Sequence, residues 1–290
     1  MDNSEKRTKS ISRRQFLKLG GVAAAAGVAG VAATSSWIVW HDESQDLMVE
    51  RVTIPLPKLP PALEGFTIAQ LSDIHLLPLT QPELVRRAVA LTNSLNPDLT
   101  VLTGDYVWHE VESMFELAPI IADLNAKHGV LSIFGNHDLW TDADVVRLGL
   151  QEARVPLLVN EGVTLDVGGA PLHLAGLDDG WSGNPDLDAA MDNAPANATT
   201  ILLMHEPDLA DEYALDPRIA LQLSGHSHGG QIRLPIIGPP VLPYLSWKYD
   251  MGLYRVGDMW LYTNRGIGVT NEPYRYNCRP EITEITLVKA

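Results

Sequence analysis

Residues 68–75 read "IAQLSDIH": a short apolar run that stops at a carboxylate, Asp73, and an imidazole, His75. The run is apolar enough for a buried strand, which places both polar side chains just past its C-terminal end. The same arrangement recurs four more times. "LTVLTGDY" (99–106) ends in Gly104-Asp105, and "LSIFGNHD" (131–138) in Gly135-Asn136-His137-Asp138. "ILLMHEP" (201–207) delivers His205, and "IALQLSGHSH" (219–228) delivers His226 and His228. Taken singly, Asp-x-His and Gly-Asp are ordinary turns, and one histidine after a strand is a satisfied polar residue. Five coincidences at the same relative position are a pattern. In α/β sheets, ligands bind in the crevice outside the C-terminal strand ends.

The segments between these ends set the fold class. Phe66–Leu71, Leu99–Leu102 and Val130–Phe134 are expected as strands. Glu83–Leu95, Met114–Leu124 and Asp144–Ala153 show helical spacing between and after them. From there the rhythm becomes strand-rich: Leu157–Val159, Val163–Val167, Leu172–Leu177, Ile201–Met204, Ile219–Leu223, Met259–Thr263 and Ile282–Val288. Early βα alternation with later strands predicts an α/β domain of two mixed sheets flanked by helices. No composition break interrupts residues 50–290. The expected organisation is an N-terminal segment over 1–45, a Pro-rich connector with the first strand over 46–63, and the main domain over 64–290.

The 290 residues are 46% hydrophobic and 20% charged, which fits a folded protein rather than a disordered one. The formal net charge is −15. Residues 1–18 carry six basic and two acidic side chains, a net +4 that leaves −19 on the rest. So acidic a body repels a polyphosphate backbone and argues against a nucleic-acid partner. It also repels any phosphate substrate, so a phosphate site requires a local positive centre. Cys278 is the only cysteine, which excludes an intramolecular disulfide and any Cys-based metal site. It is expected to be a small buried apolar group.

The N-terminus reads as an address. "SRRQFLK" (12–18) precedes a 22-residue, weakly apolar run from Leu19 to Trp40. Paired arginines followed by Phe16, Leu17 and Lys18 resemble a twin-arginine export signal, so the translocase of that pathway is an expected partner. Small residues near Ala32 and Ala33 permit cleavage. The run is also long enough to span a bilayer, with Trp37 and Trp40 at its outer end, and a retained anchor is the preferred reading. The domain is then expected to face outward, or to be periplasmic or extracellular after cleavage.

The ordered set Asp-x-His, Gly-Asp, Gly-Asn-His-Asp, isolated His and Gly-His-x-His resembles the calcineurin-like metallophosphoesterases over about residues 64–290. "GHSHGGQIRLP", "NCRPEITEITLV" and the export signal look most like an exported bacterial phosphodiesterase branch, similar to calcineurin-like UDP-diacylglucosamine pyrophosphatases. The resemblance implies a four-layer αββα sandwich and two metal ions. Asp73, His75, Asp105 and His228 would hold the first, and Asp105, Asn136, His205 and His226 the second. Mixed imidazole and carboxylate ligation suits Mn, Fe, Zn, Co or Ni better than Mg or Ca. Two ions ~3.5–4 Å apart make a hydrolytic centre that activates water for in-line attack and neutralises phosphoryl oxygens. His137 would protonate the leaving oxygen and Asp138 would orient it. Purple acid phosphatases differ: their ferric-binding tyrosine lies where this chain has Trp108, so no tyrosinate colour is expected.

The function expected from this resemblance is hydrolysis of a phosphodiester or pyrophosphate-type bond, with a lipid- or envelope-linked substrate entertained, in a monomeric protein. A broad phosphomonoesterase and a non-catalytic metal-binding scaffold are the alternatives. Weaker signals remain. Trp108, Trp140 and Trp181 follow strand ends and either wall the site or pack at its rim. Arg233 and Arg265 either clamp phosphate or form salt bridges. Leu234–Tyr254 is long, apolar and proline-rich, a membrane-leaning lid or a rigid loop packed on the sheet. His41, His109, His128 and His173 have no motif context and read as structural or exposed.

Overall fold

The computed structural model describes residue 30 and residues 34–290, in two compact units, Met1–Asp42 and Glu43–Ala290. In the first unit, residues 34–40 are helical and the Trp37 and His41 rings stack at 3.9 Å. Most of the export signal and of the apolar run after it lies outside the described residues. Among the described residues, no helix is long and apolar enough to cross a membrane.

The second unit holds two mixed sheets. The first comprises β1 (Met48–Leu56), β2 (Thr67–Leu71), β3 (Leu99–Leu102), β4 (Val130–Ser132) and β11 (Glu281–Lys289), in the order β1-β11-β2-β3-β4. The second comprises β5 (Glu161–Val167), β6 (Ala170–Gly176), β7 (Thr199–Leu203), β8 (Ile219–Ser224), β9 (Gly252–Val256) and β10 (Met259–Thr263), in the order β5-β6-β7-β8-β10-β9. β2, β3 and β4 run parallel, as do β6, β7, β8 and β10.

Three apolar layers explain why the central strands are almost continuously hydrophobic. Ile68, Val101, Leu131 and Ile285 of the first sheet pack with Leu174, Ile201, Leu203, Leu221 and Leu223 of the second. The outer face of the first sheet is covered by helices Pro82–Ser94, Ser113–Ile121 and Ala143–Glu152. The short helices Leu187–Met191 and Ala210–Tyr213 cover the outer face of the second. The result is the four-layer αββα sandwich. Leu202 and Met204 face one layer while Ile201 and Leu203 face the other, so a strand such as β7 needs apolar residues on both faces.

Two expected elements differ. Leu157–Val159 forms no strand; it makes one bridge, Ser132 to Leu157, at the edge beyond β4. Pro156 precedes it and has no N–H to extend a ladder. Conversely, β9 arises within the end of the expected Leu234–Tyr254 loop as an edge strand paired antiparallel to β10. Its partly exposed, mixed sequence "GLYRV" gives no apolar signature.

Candidate metal centre

Parallel registry brings the strand ends to one edge of the sandwich. Leu71 pairs with Leu102, Leu102 with Ser132, and Leu203 with Leu223. The residues that follow these positions are the five polar ends of the sequence. A buried polar network ties the two sheets together beneath them. Gln70 Nε2 donates to Thr103 Oγ1 at 3.0 Å and, across the sandwich, to the Ser224 carbonyl at 2.9 Å. Thr103 Oγ1 donates in turn to Ser72 Oγ at 2.7 Å.

Past the strands the backbone is strained in a consistent way. Asp73, His75, Asp105, His226 and His228 all sit at positive φ, between 45° and 69°. The left-handed region costs a non-glycine residue about 1–2 kcal/mol, and such strain gathers where function over-determines geometry. Close approach imposes a second demand. A methyl group on Gly225 would collide with Ser72 Oγ and Asp73 Oδ2, so only glycine admits the Asp73 carboxylate against this turn.

These constraints assemble two buried clusters, Asp73 with His75 and His228, and Asp105 with His205 and His226; in each, the candidate ligand atoms lie within 4.8 Å of one another. Asp105 joins them: its Oδ2 is 3.3 Å from His75 Nε2 and 3.2 Å from His205 Nε2. Asp73 Oδ1 lies 3.3 Å from His228 Nε2 and 4.0 Å from His205 Nε2. Asn136 is buried beside them, and its Oδ1 has no hydrogen-bond partner. The seven residues read from the sequence as metal-binding are all buried in this edge of the molecule.

Second contacts fix which nitrogen of three of the rings faces inward. His75 Nδ1 lies 3.2 Å from the Val107 carbonyl, and His205 Nδ1 lies 2.6 Å from the Thr103 carbonyl. A carbonyl demands an N–H, so in their neutral forms both rings turn an Nε2 lone pair toward the carboxylates. His226 is the mirror case: Nε2 donates to the Tyr244 carbonyl at 2.7 Å, which leaves Nδ1 as its acceptor. Such outer contacts are the usual way of orienting histidine ligands.

The electrostatics fit a cationic occupant. Burial would raise Asp105, but the surrounding His205, His75 and His137 hold it well below the usual carboxylate range. Burial lowers His226 to about 3, with His205 adding to the effect, and lowers His228 well below its ordinary value, helped by His75 and Arg275. His75 and His205 go the other way: burial opposes protonation, but Asp105 and Asp73 outweigh it and raise both. Protons on these two rings offset the buried carboxylate charge, a role that cations would take over. The orphaned Asn136 Oδ1, the inward lone pairs and the Asp/His donor set all fit two metal ions.

His137 stands at the mouth, half-buried, stacked on Trp108 at 4.2 Å and edge-on to Trp140 at 4.7 Å. Its backbone N–H donates to Asp105 Oδ1 at 2.8 Å. Burial lowers its ring to about 4, with Asp105 opposing. Asp138 is placed otherwise than to orient that ring. Its carboxylate accepts from the backbone N–H groups of Asp105, Tyr106 and Gly135, at 2.8–2.9 Å, and so latches two strand-end turns together. Burial, then Asp105, raises it to about 7. The Tyr106 hydroxyl donates to the Ile133 carbonyl at 2.9 Å and is spent there.

Arg233 is paired with Asp250 at 2.6 Å, and Arg265 with Glu281 and Glu50, so both are engaged in salt bridges. Three contributors were not singled out in the sequence. Arg275 is fully buried and brings Nη2 to 3.4 Å from His228 Nδ1 while donating to the Arg265 and Gly268 carbonyls. Glu206 and Asp179, both buried, accept from the backbone N–H groups of Gly180, Trp181 and Ser182. That fixes the turn presenting Trp181, whose ring lies 4.7 Å from Trp140 and 5.8 Å from His226.

Comparison with known proteins agrees with this geometry. Residues 66–230 match the family model described as calcineurin-like phosphoesterase, and residues 10–34 match the twin-arginine translocation pathway signal sequence. The chain is 37% identical to YkuE of Bacillus subtilis, an uncharacterized metallophosphoesterase, over 96% of this chain and 98% of the relative. It is 31% identical to the phosphodiesterase YaeI of Escherichia coli, over 96% of this chain and all of the relative. Among solved structures, a sulfate thiohydrolase SoxB from Thermus thermophilus is similar with a TM-score of 0.48 and 16% identity, covering 72% of this chain and 53% of that one. The chain belongs to the calcineurin-like phosphoesterases and carries a signal for twin-arginine export.

Proposed function

We propose that this calcineurin-like phosphoesterase hydrolyses phosphodiester or pyrophosphate-type bonds at a two-metal centre. The observation that carries the reading is the pair of buried Asp/His clusters joined at Asp105 Oδ2, with the unpartnered Asn136 Oδ1 beside them. Asp73, His75, Asp105 and His228 would hold one ion, and Asp105, Asn136, His205 and His226 the other. When bound, the ions supply an acidified water and neutralise phosphoryl oxygens.

The remaining chemistry belongs to the chain. The Asp105 backbone and carboxylate are fixed by Asp138 and by the His137 N–H, so the shared ligand does not swing. In hydrolysis a water-derived oxygen bonds to phosphorus and releases its proton to solvent, the bond to the leaving oxygen breaks, and that oxygen takes a proton that His137 has drawn from solvent. The ring, low at about 4 in the free protein, gains proton affinity when an anionic phosphoryl group arrives beside it. Stacking on Trp108 holds it at the mouth meanwhile.

Preference for a diester rests on two supports. Arg233 and Arg265 are committed to carboxylates, so neither is available to clamp the second charge of a monoester. The relative YaeI is named a phosphodiesterase. The test is purified protein loaded with Mn and assayed on a synthetic diester, a monoester and lipid-linked pyrophosphates. Diester or pyrophosphate turnover that exceeds monoester turnover supports the proposal. Faster monoester turnover overturns the preference, and inactivity toward all three points to a metal-binding scaffold.

A further inference from the structure

We propose that the hairpin loop Leu234–Trp247 is a docking surface for an uncharged lipid bilayer. Its 14 residues, "LPIIGPPVLPYLSW", include no charged side chain, in a chain that is 20% charged with a net charge of −15. The basic residues at its two ends are neutralised: Arg233 by Asp250 at 2.6 Å and Lys248 by Asp211 at 2.7 Å.

The exposure of this loop is unusual. Ile236 is 108% exposed, Ile237 74% and Trp247 66%, and Val241 and Tyr244 are exposed with them. Among the described residues from 43 to 290, no other segment displays so many large apolar side chains together. Contiguous exposed apolar surface of this kind marks an interaction site. Local geometry works to produce it. Leu234 and Gly238 exchange backbone hydrogen bonds of 2.9 Å each way, closing a tight turn. Ile236 sits inside that turn at φ 70°, a conformation disfavoured for a β-branched residue. No contact within the fold rewards that strain, because the side chain is entirely in solvent. A medium that accepts aliphatic side chains would reward it.

The base of the loop is rigid. The Tyr244 carbonyl receives His226 Nε2, and Asp208 accepts from the N–H groups of Trp247, Lys248 and Tyr249. The tip is therefore presented, not folded back. Aromatic contacts continue from it to the mouth of the metal centre: Trp247 to Tyr244 at 5.8 Å, Tyr244 to Trp181 at 5.5 Å, and Trp181 to Trp140 at 4.7 Å.

The chemistry favours a bilayer. A convex aliphatic tip backed by Trp and Tyr is the arrangement that settles at a membrane interface, with aliphatics below and aromatics at the headgroup level. Protein interfaces rely on a polar rim with arginine anchors, and this segment offers neither. Neutralised flanks and an acidic body give anionic headgroups nothing to attract, so the surface expected is zwitterionic. The twin-arginine signal takes the folded chain to a membrane in any case. The proposal stands on exposure and charge and is independent of the reading of the metal centre.

The test uses the full chain and needs no turnover. Cys278 is buried, so Ile237→Cys supplies the accessible thiol for an environment-sensitive fluorophore, and Leu215→Cys, outside the loop and 81% exposed, is the control. With phosphatidylcholine vesicles, the label at 237 should brighten severalfold and be quenched by lipids carrying a quencher near the headgroup. The label at 215 should not change. Adding Ile236→Asp should weaken the response at 237 at least tenfold while leaving the thermal unfolding midpoint unchanged. A label at 237 that stays solvent-like on neutral vesicles overturns the proposal. So does a response confined to anionic vesicles, or one that appears without lipid and scales with protein concentration, which would assign the surface to a second copy.

Discussion

The two clusters of the metal centre are built from the same residue types yet close in different ways. In the first, His75 Nε2 and His228 Nε2 lie 3.0 Å apart and share a hydrogen bond. In the second, Asn136 Oδ1 is buried without a hydrogen-bond partner, and His205 Nε2 meets only carboxylate, with Asp105 Oδ2 at 3.2 Å. The outer contacts differ too. Thr103 and Tyr244 carbonyls back His205 and His226, whereas a buried guanidinium, that of Arg275, stands behind His228. The first cluster can satisfy itself; the second depends on an occupant. An unsatisfied buried polar atom costs about 1–3 kcal/mol, so the second cluster should gain more from a cation.

Asp105 is where the distinction between the clusters must fail. Its Oδ2 is within 3.3 Å of one imidazole from each. Asp105→Asn should cut diester turnover by roughly a thousandfold or more, since both sites lose a ligand charge at once, and bound metal measured by mass spectrometry should fall at both. Loss of only one ion would break the picture of a shared carboxylate.

The next effect addresses the outer contacts. Arg275→Met removes the guanidinium behind His228 and leaves the second cluster untouched. A guanidinium has no acceptor for the N–H of a metal-bound imidazole, and its charge already disfavours a proton on His228. The expected result is tighter binding, by about tenfold, of one of two ions in a metal titration, with the other unchanged. Arg275→Lys, which keeps the charge, should reverse part of it. An equal change at both ions would mean that Arg275 serves general packing rather than one cluster.

Removing the metal altogether tests the asymmetry through stability. Ligand at about 100 times its dissociation constant stabilises by about 2.7 kcal/mol, which for a chain of this size corresponds to roughly 5–10 °C in Tm. Chelator-stripped protein should recover that shift on adding Mn. Asn136→Ala should recover less of it than wild type but start from a stripped Tm no lower, because the orphaned oxygen is gone. A stripped Tm that falls sharply in Asn136→Ala would show that the amide is satisfied without metal.

The same comparison explains what was legible in the sequence. Each strand end announced itself because a run buried on both faces must be apolar, and a polar residue directly after it stands out. Asp73, His75, Asp105, Asn136, His137, Asp138, His205, His226 and His228 were all readable in that way. The alternation of strands and helices gave two sheets and their coverings. Arg275, Asp179 and Glu206 were not read, because each works on backbone groups rather than toward a ligand: Asp179 and Glu206 hold the turn at 180–182, and Arg275 holds the carbonyls of Arg265 and Gly268. Asp138 was found, but its task was not: latching the backbone of Asp105 and Tyr106 depends on how two loops meet. Nor could Leu234–Trp247 be resolved between lid and packed loop. Its base is packed and its tip is exposed, and apolar composition is the same for both.

The smallest expected effect concerns a histidine outside both clusters, which measures what burial alone does to an imidazole in this fold. His173 is buried, with Nδ1 2.9 Å from Thr164 Oγ1 and Nε2 3.1 Å from the Ala190 carbonyl. Burial lowers its pKa below 6.5, and the Ala190 carbonyl opposes only part of that. The folded state therefore favours the neutral ring. As pH falls through 6.5 the unfolded chain takes up the proton first, so this contribution to stability is present above that pH and declines below it. The decline flattens once pH passes the lowered folded value. One such group contributes a slope of at most about 1.4 kcal/mol per pH unit. His173→Gln should thus lose less stability than wild type between pH 7 and 5 in urea unfolding, while its diester activity and metal content stay unchanged. Identical pH slopes in the two proteins would show that His173 exchanges its proton as freely folded as unfolded. The acid sensitivity of the fold would then reside in carboxylates that folding holds below their ordinary range, Asp105 and Asp98 among them.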